Sequence, residues 1–272
     1  MKESSSPLLY DEKDGIVSIR MNRPNVKNAI NSECWHLFEG HFNTLSSRSN
    51  VRALVITGAE SGVFTAGVDV RPSDPLIAGL FTGLQEKNRQ TVVDGIAYMQ
   101  KILNTLAHLP FPTIAAINGL CYSGGLELAL ACDIRIARGD AVLCFKETRL
   151  GLIPDLGGTV RLTRLVGPGR AKELIFSARM IEPHEALAMG LLNHVFAKET
   201  FKQQLDTYLQ SILANGPQAL TCVKRIVAAA MNLPETEALS LETEQAADNI
   251  LGGQCIEGIT AFLDKRAPDW RA

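Results

Sequence analysis

One stretch constrains this chain more than any other. From Pro112 to Thr159 it reads PTIAAINGLCYSGGLELALACDIRIARGDAVLCFKETRLGLIPDLGGT. Thr113 to Ile117 is an apolar, β-favouring run. It ends in the turn pair Asn118-Gly119, and Gly124-Gly125 then opens a helical stretch, Leu126 to Cys132. A strand feeding a glycine turn and a helix leaves the first helical N–H groups without partners in the helix. Three of the carboxylates in this stretch are candidates for chemistry. Glu127 falls in the first helical turn, Glu147 lies twenty positions on in a loop-like segment, and Asp155 lies eight beyond that. Amides at a helix start can hold an oxyanion, and carboxylates beside them can move protons.

The same strand–helix alternation fills the chain from about residue 8 to 196. Ile16 to Met21 alternates as a strand and is turned by Arg23-Pro24-Asn25. Asn31-Ser32 start a helix to about Leu45 with an apolar stripe of Trp35, Leu37, Phe38, Phe42 and Leu45. Val51 to Thr57 reads as a buried strand, residues 71–90 as loop and then helix, and Val92 to Leu109 as a helix ended by Pro110 and Pro112. Short helices are expected at Thr159 to Val166, Arg170 to Ser177 and Glu182 to Met189, and a strand at Asn193 to Phe196. From Lys198 the pattern is helical nearly to the end.

Lys and Arg total 27 against 29 for Asp and Glu, a net charge of −2, which argues against nucleic acid or an acidic membrane as the main partner. The six cysteines form no C-x-x-C pair and read as reduced, buried small hydrophobes of a cytoplasmic protein. The first residues, MKESSSPLLYDEKDG, have neither a signal core nor an Arg-rich transit pattern, and Asn, Ser, Glu and Asp interrupt the one long apolar region. No metal-ligand spacing, Walker A loop or G-x-G-x-x-G turn occurs. Ser123 stands in C-Y-S-G-G, which is not a nucleophile elbow.

Ala66-Gly67 is a second small-residue bend after a buried strand. Paired with Gly124-Gly125, it can set two amide donors against one carbonyl oxygen, an arrangement worth about 3–4 kcal/mol per donor in a transition state. Each carboxylate also has a plain alternative. Glu127 can pair with Arg135 or Arg161, Glu147 with Lys146 or Arg149, and Asp155 can cap the helix that starts near Gly157. As a catalytic group, Glu127 is expected to be ionised by its place in the first helical turn, which suits a base acting on water.

FTAGVDV at Phe64–Val70, INGLCYSGGLELALACDIRIA at Ile117–Ala137 and ETRLGLIPDLGGTVRL at Glu147–Leu162, flanked by NRPNVKNAIN and FLDKRAPDW, together resemble the crotonase superfamily of enoyl-CoA hydratases and isomerases. The resemblance runs from about Gly15 to Trp270. It implies an α/β spiral of β-β-α turns over residues 1–196, and a C-terminal helical region over 197–272 through which such chains assemble as homotrimers or homohexamers. The substrate implied is an acyl-CoA thioester, with no metal and no further cofactor, because the thioester itself acidifies the α-carbon. Its oxygen would sit between the amides of Ala66 and Gly124. Glu127 and Glu147 match the two glutamates of the hydratase branch, which adds water to a trans-2-enoyl-CoA in fatty-acid degradation. Gly67, Val68, Asp69 and Gly125 fall at substrate-contacting positions. Phe262 and Lys265 fall where the family meets the CoA nucleotide, often from a neighbouring subunit. Lys146 replaces the proline that hydratases usually carry, and Trp35, FTAG, the lengthy segment after Asp69 and the Lys-Glu pair are similar to dienoyl-CoA isomerases. In those enzymes the positions of Glu147 and Asp155 shuttle a proton, although Asp usually stands in place of Glu127.

Overall fold

A computed structural model describes residues 6–59 and 62–270. It opens with a hairpin, β1 (Leu8–Lys13) and β2 (Ile16–Met21), paired antiparallel. Asp14-Gly15 makes the turn with both residues at positive φ, the two-residue geometry that suits the twist of the strands. The sequence pattern hid β1, because LLYDEK lies at the sheet edge, where charged side chains replace alternation. Helix α1 (Ser32–Ser46) follows, with Asn31 accepting the Cys34 N–H as its cap.

Three strand–strand–helix turns come next. The first is β3 (Ala53–Gly58) and β4 (Val63–Thr65), followed by α2 (Pro75–Gln85) and α3 (Arg89–Ala107). The second is β5 (Thr113–Ile117), β6 (Leu120–Tyr122) and α4 (Gly124–Leu130). The third is β7 (Ile134–Arg138) and β8 (Val142–Cys144), followed by α5 (Gly158–Val166), α6 (Pro168–Ser177) and α7 (Pro183–Ala188), and β9 (His194–Phe196) closes the series. Each turn gives its first strand to a six-stranded sheet, order β1-β2-β3-β5-β7-β9, and its second to a three-stranded parallel sheet, order β4-β6-β8. This is the β-β-α spiral expected.

The large sheet is covered on both faces, which explains the lost alternation in β3, β5 and β7. Leu54, Ile56, Ala115 and Ile117 join the main core with Trp35, Phe38, Ile102 and Leu126. Ala53, Val55, Ile114 and Ala116 meet Phe201, Leu205 and Leu209 on the other face. Those last three lie on α8 (Phe201–Leu213), the first of the terminal helices, followed by α9 (Pro217–Ala230), α10 (Glu235–Leu251) and α11 (Gln254–Leu263).

Residues 71–90, read as loop and then helix, follow that reading: α2 starts at Pro75, where Asp74 caps it through the Leu76 and Ile77 amides and also takes the Ser32 N–H at 2.8 Å. Helix α6 starts at Pro168, not Arg170, since proline at the first helical position lacks only an N–H that the helix would leave unused. Among the described residues no helix is long and apolar enough to cross a membrane.

Candidate active site

The small sheet builds the site. Leu120 pairs with both Val63 and Val142, and Cys121 with both Thr65 and Leu143. The residues leaving β4, β6 and β8 therefore meet at one sheet end. They are Ala66–Asp69, Ser123–Gly125 and Phe145–Glu147.

The amides of the first segment settle which can serve a ligand. Ala66 N–H donates to the Lys27 carbonyl at 2.9 Å, Gly67 N–H to the Thr65 hydroxyl at 3.0 Å and Asp69 N–H to the Ile30 carbonyl at 2.9 Å. The expectation for Ala66 is corrected on that ground, since its donor is already spent. Val68 is the one amide of the four that donates to nothing in the chain among the described residues. It lies beside Gly124, where an added Cβ would come within 3.3 Å of Val68 N. The Gly124 amide, at the first position of α4, is equally unspent among the described residues. Gly67 permits this approach: its φ is +97°, and a Cβ there would reach Tyr122 O at 2.8 Å and Gly124 N at 3.0 Å. Gly125 backs the turn by packing its bare α-carbon on Thr65.

Asp69 is 4% exposed and gives its carboxylate to Arg23, at 2.9 Å, and to Arg71. Arg71 first, then Arg23, hold its pKa down to about 2 against the cost of burial. Asp69 is thus committed to the scaffold of the Val68 turn and not to substrate, a second correction.

Glu127 is 1% exposed on α4. Its Oε2 accepts the Leu156 N–H at 2.8 Å and the Gly158 N–H at 2.7 Å, so this carboxylate, rather than Asp155, takes the first free amide of α5. A Cβ on Gly158 would stand 2.6 Å from that oxygen, so only glycine fits there. Neither Arg135 nor Arg161 pairs with Glu127. Arg135 serves the Leu191 and Cys132 carbonyls, and Arg161 serves the Leu156 carbonyl and Asn104. Its place in the first helical turn does not keep Glu127 in the ordinary carboxylate range. Burial, then the charge of Glu147, raise its pKa to about 8, and the two amides recover only part of that.

Glu147, on the short 3-10 turn Glu147–Leu150, is 7% exposed, and both of its carboxylate oxygens are buried without a hydrogen-bond partner. Burial first, and the charge of Asp155 further, raise its pKa to about 7; the Ser123 hydroxyl pulls it down slightly without reaching hydrogen-bond geometry. The alternative of an ion pair with Lys146 fails, because that ammonium sits over the Tyr122 ring, 3.8 Å from its centre. Asp155 is half-buried, which raises its pKa, and its charge reaches both glutamates.

Phe262 and Lys265 are not brought to this site within one chain. Helix α11 packs on α10 and Trp270, and Phe262 is 81% exposed. Two open cavities, of about 490 Å³ along α3 and about 250 Å³ where α9 meets the core, are lined by none of the three carboxylates. The first is a polar groove without a buried acid, so chemistry rather than volume marks the site. Among the described residues no three His, Cys, Asp or Glu side chains converge as metal ligands.

Reading motifs in order along the chain found the carboxylates but missed the Val68, Leu156 and Gly158 amides. The Gly157-Gly158 pair was the available signal for the last.

A β-β-α spiral presenting two unspent amides beside two buried glutamates of raised pKa is the architecture of the crotonase fold. The family model for enoyl-CoA hydratase/isomerase matches residues 11–272. A mitochondrial methylglutaconyl-CoA hydratase from Mus musculus is 35% identical over 97% of this chain and 82% of its own length. A short-chain-enoyl-CoA hydratase from Clostridium acetobutylicum is 33% identical over 94% of each. The crystal structure of an enoyl-CoA hydratase from Bacillus anthracis superposes with a TM-score of 0.87 at 31% identity, covering 97% of this chain and 98% of that one. The chain belongs to the enoyl-CoA hydratase/isomerase family, and it is a hydratase-type enzyme.

Proposed function

We propose that this enzyme adds water across the double bond of a trans-2-enoyl-CoA, in the degradation of fatty acyl chains, using Glu127 and Glu147 as one acid–base pair. The observation that carries the reading is the pair itself: two buried carboxylates raised to about 8 and about 7, beside two backbone amides with nothing else to bind. Values this close belong to the pair more than to either residue, so near neutrality the pair holds one proton.

The thioester oxygen lies between the Val68 and Gly124 amides, which stabilise the enolate oxygen as it forms. Glu127, held through one oxygen by Leu156 and Gly158, takes a proton from water with the other. The water oxygen bonds to Cβ and the double-bond electrons move to the thioester oxygen. As the carbonyl reforms, Cα takes the proton of Glu147, whose oxygens have no competing bond. The thioester acidifies Cα, so no step calls on a metal or redox cofactor.

Assembly as a homotrimer or homohexamer through α9 to α11 is part of the same reading. It would bring Phe262 and Lys265 to the CoA of a neighbouring subunit, where the lysine meets a phosphate.

The test is spectrophotometric. Crotonyl-CoA loses its conjugated absorbance on mixing, and Glu127→Gln and Glu147→Gln each slow this by about 10³-fold while keeping the native circular dichroism. Full activity in both variants would overturn the reading. One observation favours a second chemistry: Asp155 is desolvated and electrostatically coupled to both glutamates. With Glu147 it could carry a proton between carbons of a 3,5-dienoyl-CoA. Appearance of a conjugated diene that Asp155→Asn abolishes would establish that isomerase reading, and its absence would end it.

A further inference from the structure

Glu127 is held by a loop that is itself held from outside. The two amides on its Oε2 belong to Leu156 and Gly158. The carbonyls of that segment are fixed in turn. Arg161, on α5, donates through Nη1 to Leu156 O at 3.1 Å and through Nη2 to Asn104 Oδ1 at 2.6 Å. Gln100, one helical turn before Asn104 on the same face of α3, donates through Nε2 to Asp155 O at 2.5 Å. The guanidinium also lies on Gly157, whose φ is +98° and where any Cβ would stand 2.3 Å from Arg161 Nη1.

From this we infer that Arg161 and Gln100 are positioning residues for the reaction: they clamp residues 155–158 between α5 and α3 and so fix the direction in which Glu127 presents its free oxygen. The inference rests on the reading of Glu127 as a member of the catalytic pair. Loop and charge act together here. A peptide unit whose carbonyl is held points its amide the other way: Gln100 on Asp155 O aims the Leu156 N–H, and the backbone N–H of Arg161 on Gly157 O, at 2.9 Å, aims the Gly158 N–H, while the guanidinium on Leu156 O fixes the unit between them. The charged groups facing Glu127 are Glu147 from the turn after β8, Asp155 from the loop before α5, and Arg161 from α5 itself. Arg161 is the cation among them, set against two acids. None of this touches substrate.

The site's solvent side helps the experiment. Gln100 and Asn104 line the cavity of about 490 Å³ along α3, so truncations there do not require the core to repack. Turnover of crotonyl-CoA is measured against pH for the wild type, Glu127→Gln, Gln100→Met, Arg161→Met and Arg161→Lys. Arg161→Met lowers kcat about tenfold or more with KM within about twofold, the split expected when an interaction made in the transition state is lost. Its acid limb moves to higher pH by about half a unit or more, because a carboxylate that loses a cation and oriented amides gives up its proton later. Arg161→Lys, which keeps the charge but not the fork, restores part of the limb and less of kcat. Gln100→Met, whose fold does not depend on the clamp, shifts the limb the same way by less and lowers kcat about threefold. A purely structural role would lower the melting temperature and leave the limb in place. If the limbs of Arg161→Met and Gln100→Met overlie the wild type's while Glu127→Gln is inactive, the clamp is refuted and the catalytic pair stands. If Glu127→Gln retains full activity, the pair itself is refuted and the clamp with it.

Discussion

The spiral core and the terminal helices are built from similar proportions of apolar residues and use them in opposite ways. In the core, Trp35, Phe38, Phe42, Ile56 and Leu126 are fully buried in one cluster. In the tail, α9 buries none of its residues, α10 only Gln245 and α11 only Ala261, while Val227, Leu251, Ile259 and Phe262 face outward. Among the described residues of the tail only α8 packs apolar residues on the sheet, and α9 is tied to the core by polar contacts: Thr221 to the Pro110 carbonyl, and Lys224 to the Phe111 carbonyl and Asp133. The outward apolar face of α9 to α11 is the physical support for the proposed assembly.

The largest effect should come from charging that outward face. Ile259→Glu combined with Val227→Glu places carboxylates where apolar contacts between subunits are proposed, and buried unpaired charge is costly. Light scattering is expected to drop from a multiple of the 29.5 kDa chain to the chain itself, with the core's thermal transition retained. A wild type that already runs at the mass of one chain would erase the contrast between core and tail.

Next in size is a stability change at the site. Glu127 has its pKa raised to about 8, so the native state favours its neutral form. Its contribution to stability is present below the unfolded-state value and is lost as pH rises toward the folded one. Glu127→Gln, which keeps an acceptor for the Leu156 and Gly158 amides, should therefore leave stability nearly unchanged at acid pH. As pH rises above 8 the gain should grow toward a ceiling on the order of 5 kcal/mol, the shift from 4.5 to about 8 converted to free energy. Denaturant melts at several pH values decide this. A gain that does not grow with pH would show that Glu127 bears no penalty for ionising. The tail offers no comparable case, since Glu257 is held down to about 2 by Arg266 at the surface.

A smaller effect sharpens the role of Asp155. Its negative charge raises both glutamates, so Asp155→Asn should move both limbs of the hydration profile to lower pH, by a few tenths of a unit, on the order expected for one screened charge. Unmoved limbs would mean that Asp155 is neutral in the working enzyme.

Local chemistry made much of this legible in advance, and partners distant in sequence hid the rest. Strand β5, the Gly124-Gly125 turn, Glu127 and Glu147 all declare themselves within a single stretch, because an apolar β-favouring run and a glycine turn are local patterns. The choice between Ala66 and Val68 was not legible: it turns on Lys27 and Ile30, which consume the neighbouring amides from roughly forty residues away. The raised pKa of Glu127 was hidden for the same reason, since a helix start favours ionisation but burial and Glu147 work against it. Helix α2 was obscured by Gly79 and Gly83, and the residue that secures it, Asp74, does so by reaching back to Ser32 on α1.

Ser123 carries the smallest effect and the finest distinction between regions. It holds φ 52° and ψ −126°, a glycine-type conformation that costs a side-chain-bearing residue about 1–3 kcal/mol. Against this, its hydroxyl accepts only a long bond, 3.3 Å, from the Lys146 N–H. Replacing it with glycine removes the strain, loses that weak bond and raises the entropy of the unfolded chain, the last by about 0.5–1 kcal/mol. The net should be a gain of about 1 kcal/mol in denaturant midpoint analysis, smaller than the cost of any core truncation. Lys265 holds a similar φ of 54° at the end of α11, where Lys265→Gly should give a similar gain. If the tail position gains and Ser123→Gly loses stability, the hydroxyl at the junction of β6 and α4 is worth more than the strain it imposes, and the Gly124 turn depends on it. Equal gains would mean that the turn holds its shape without that side chain.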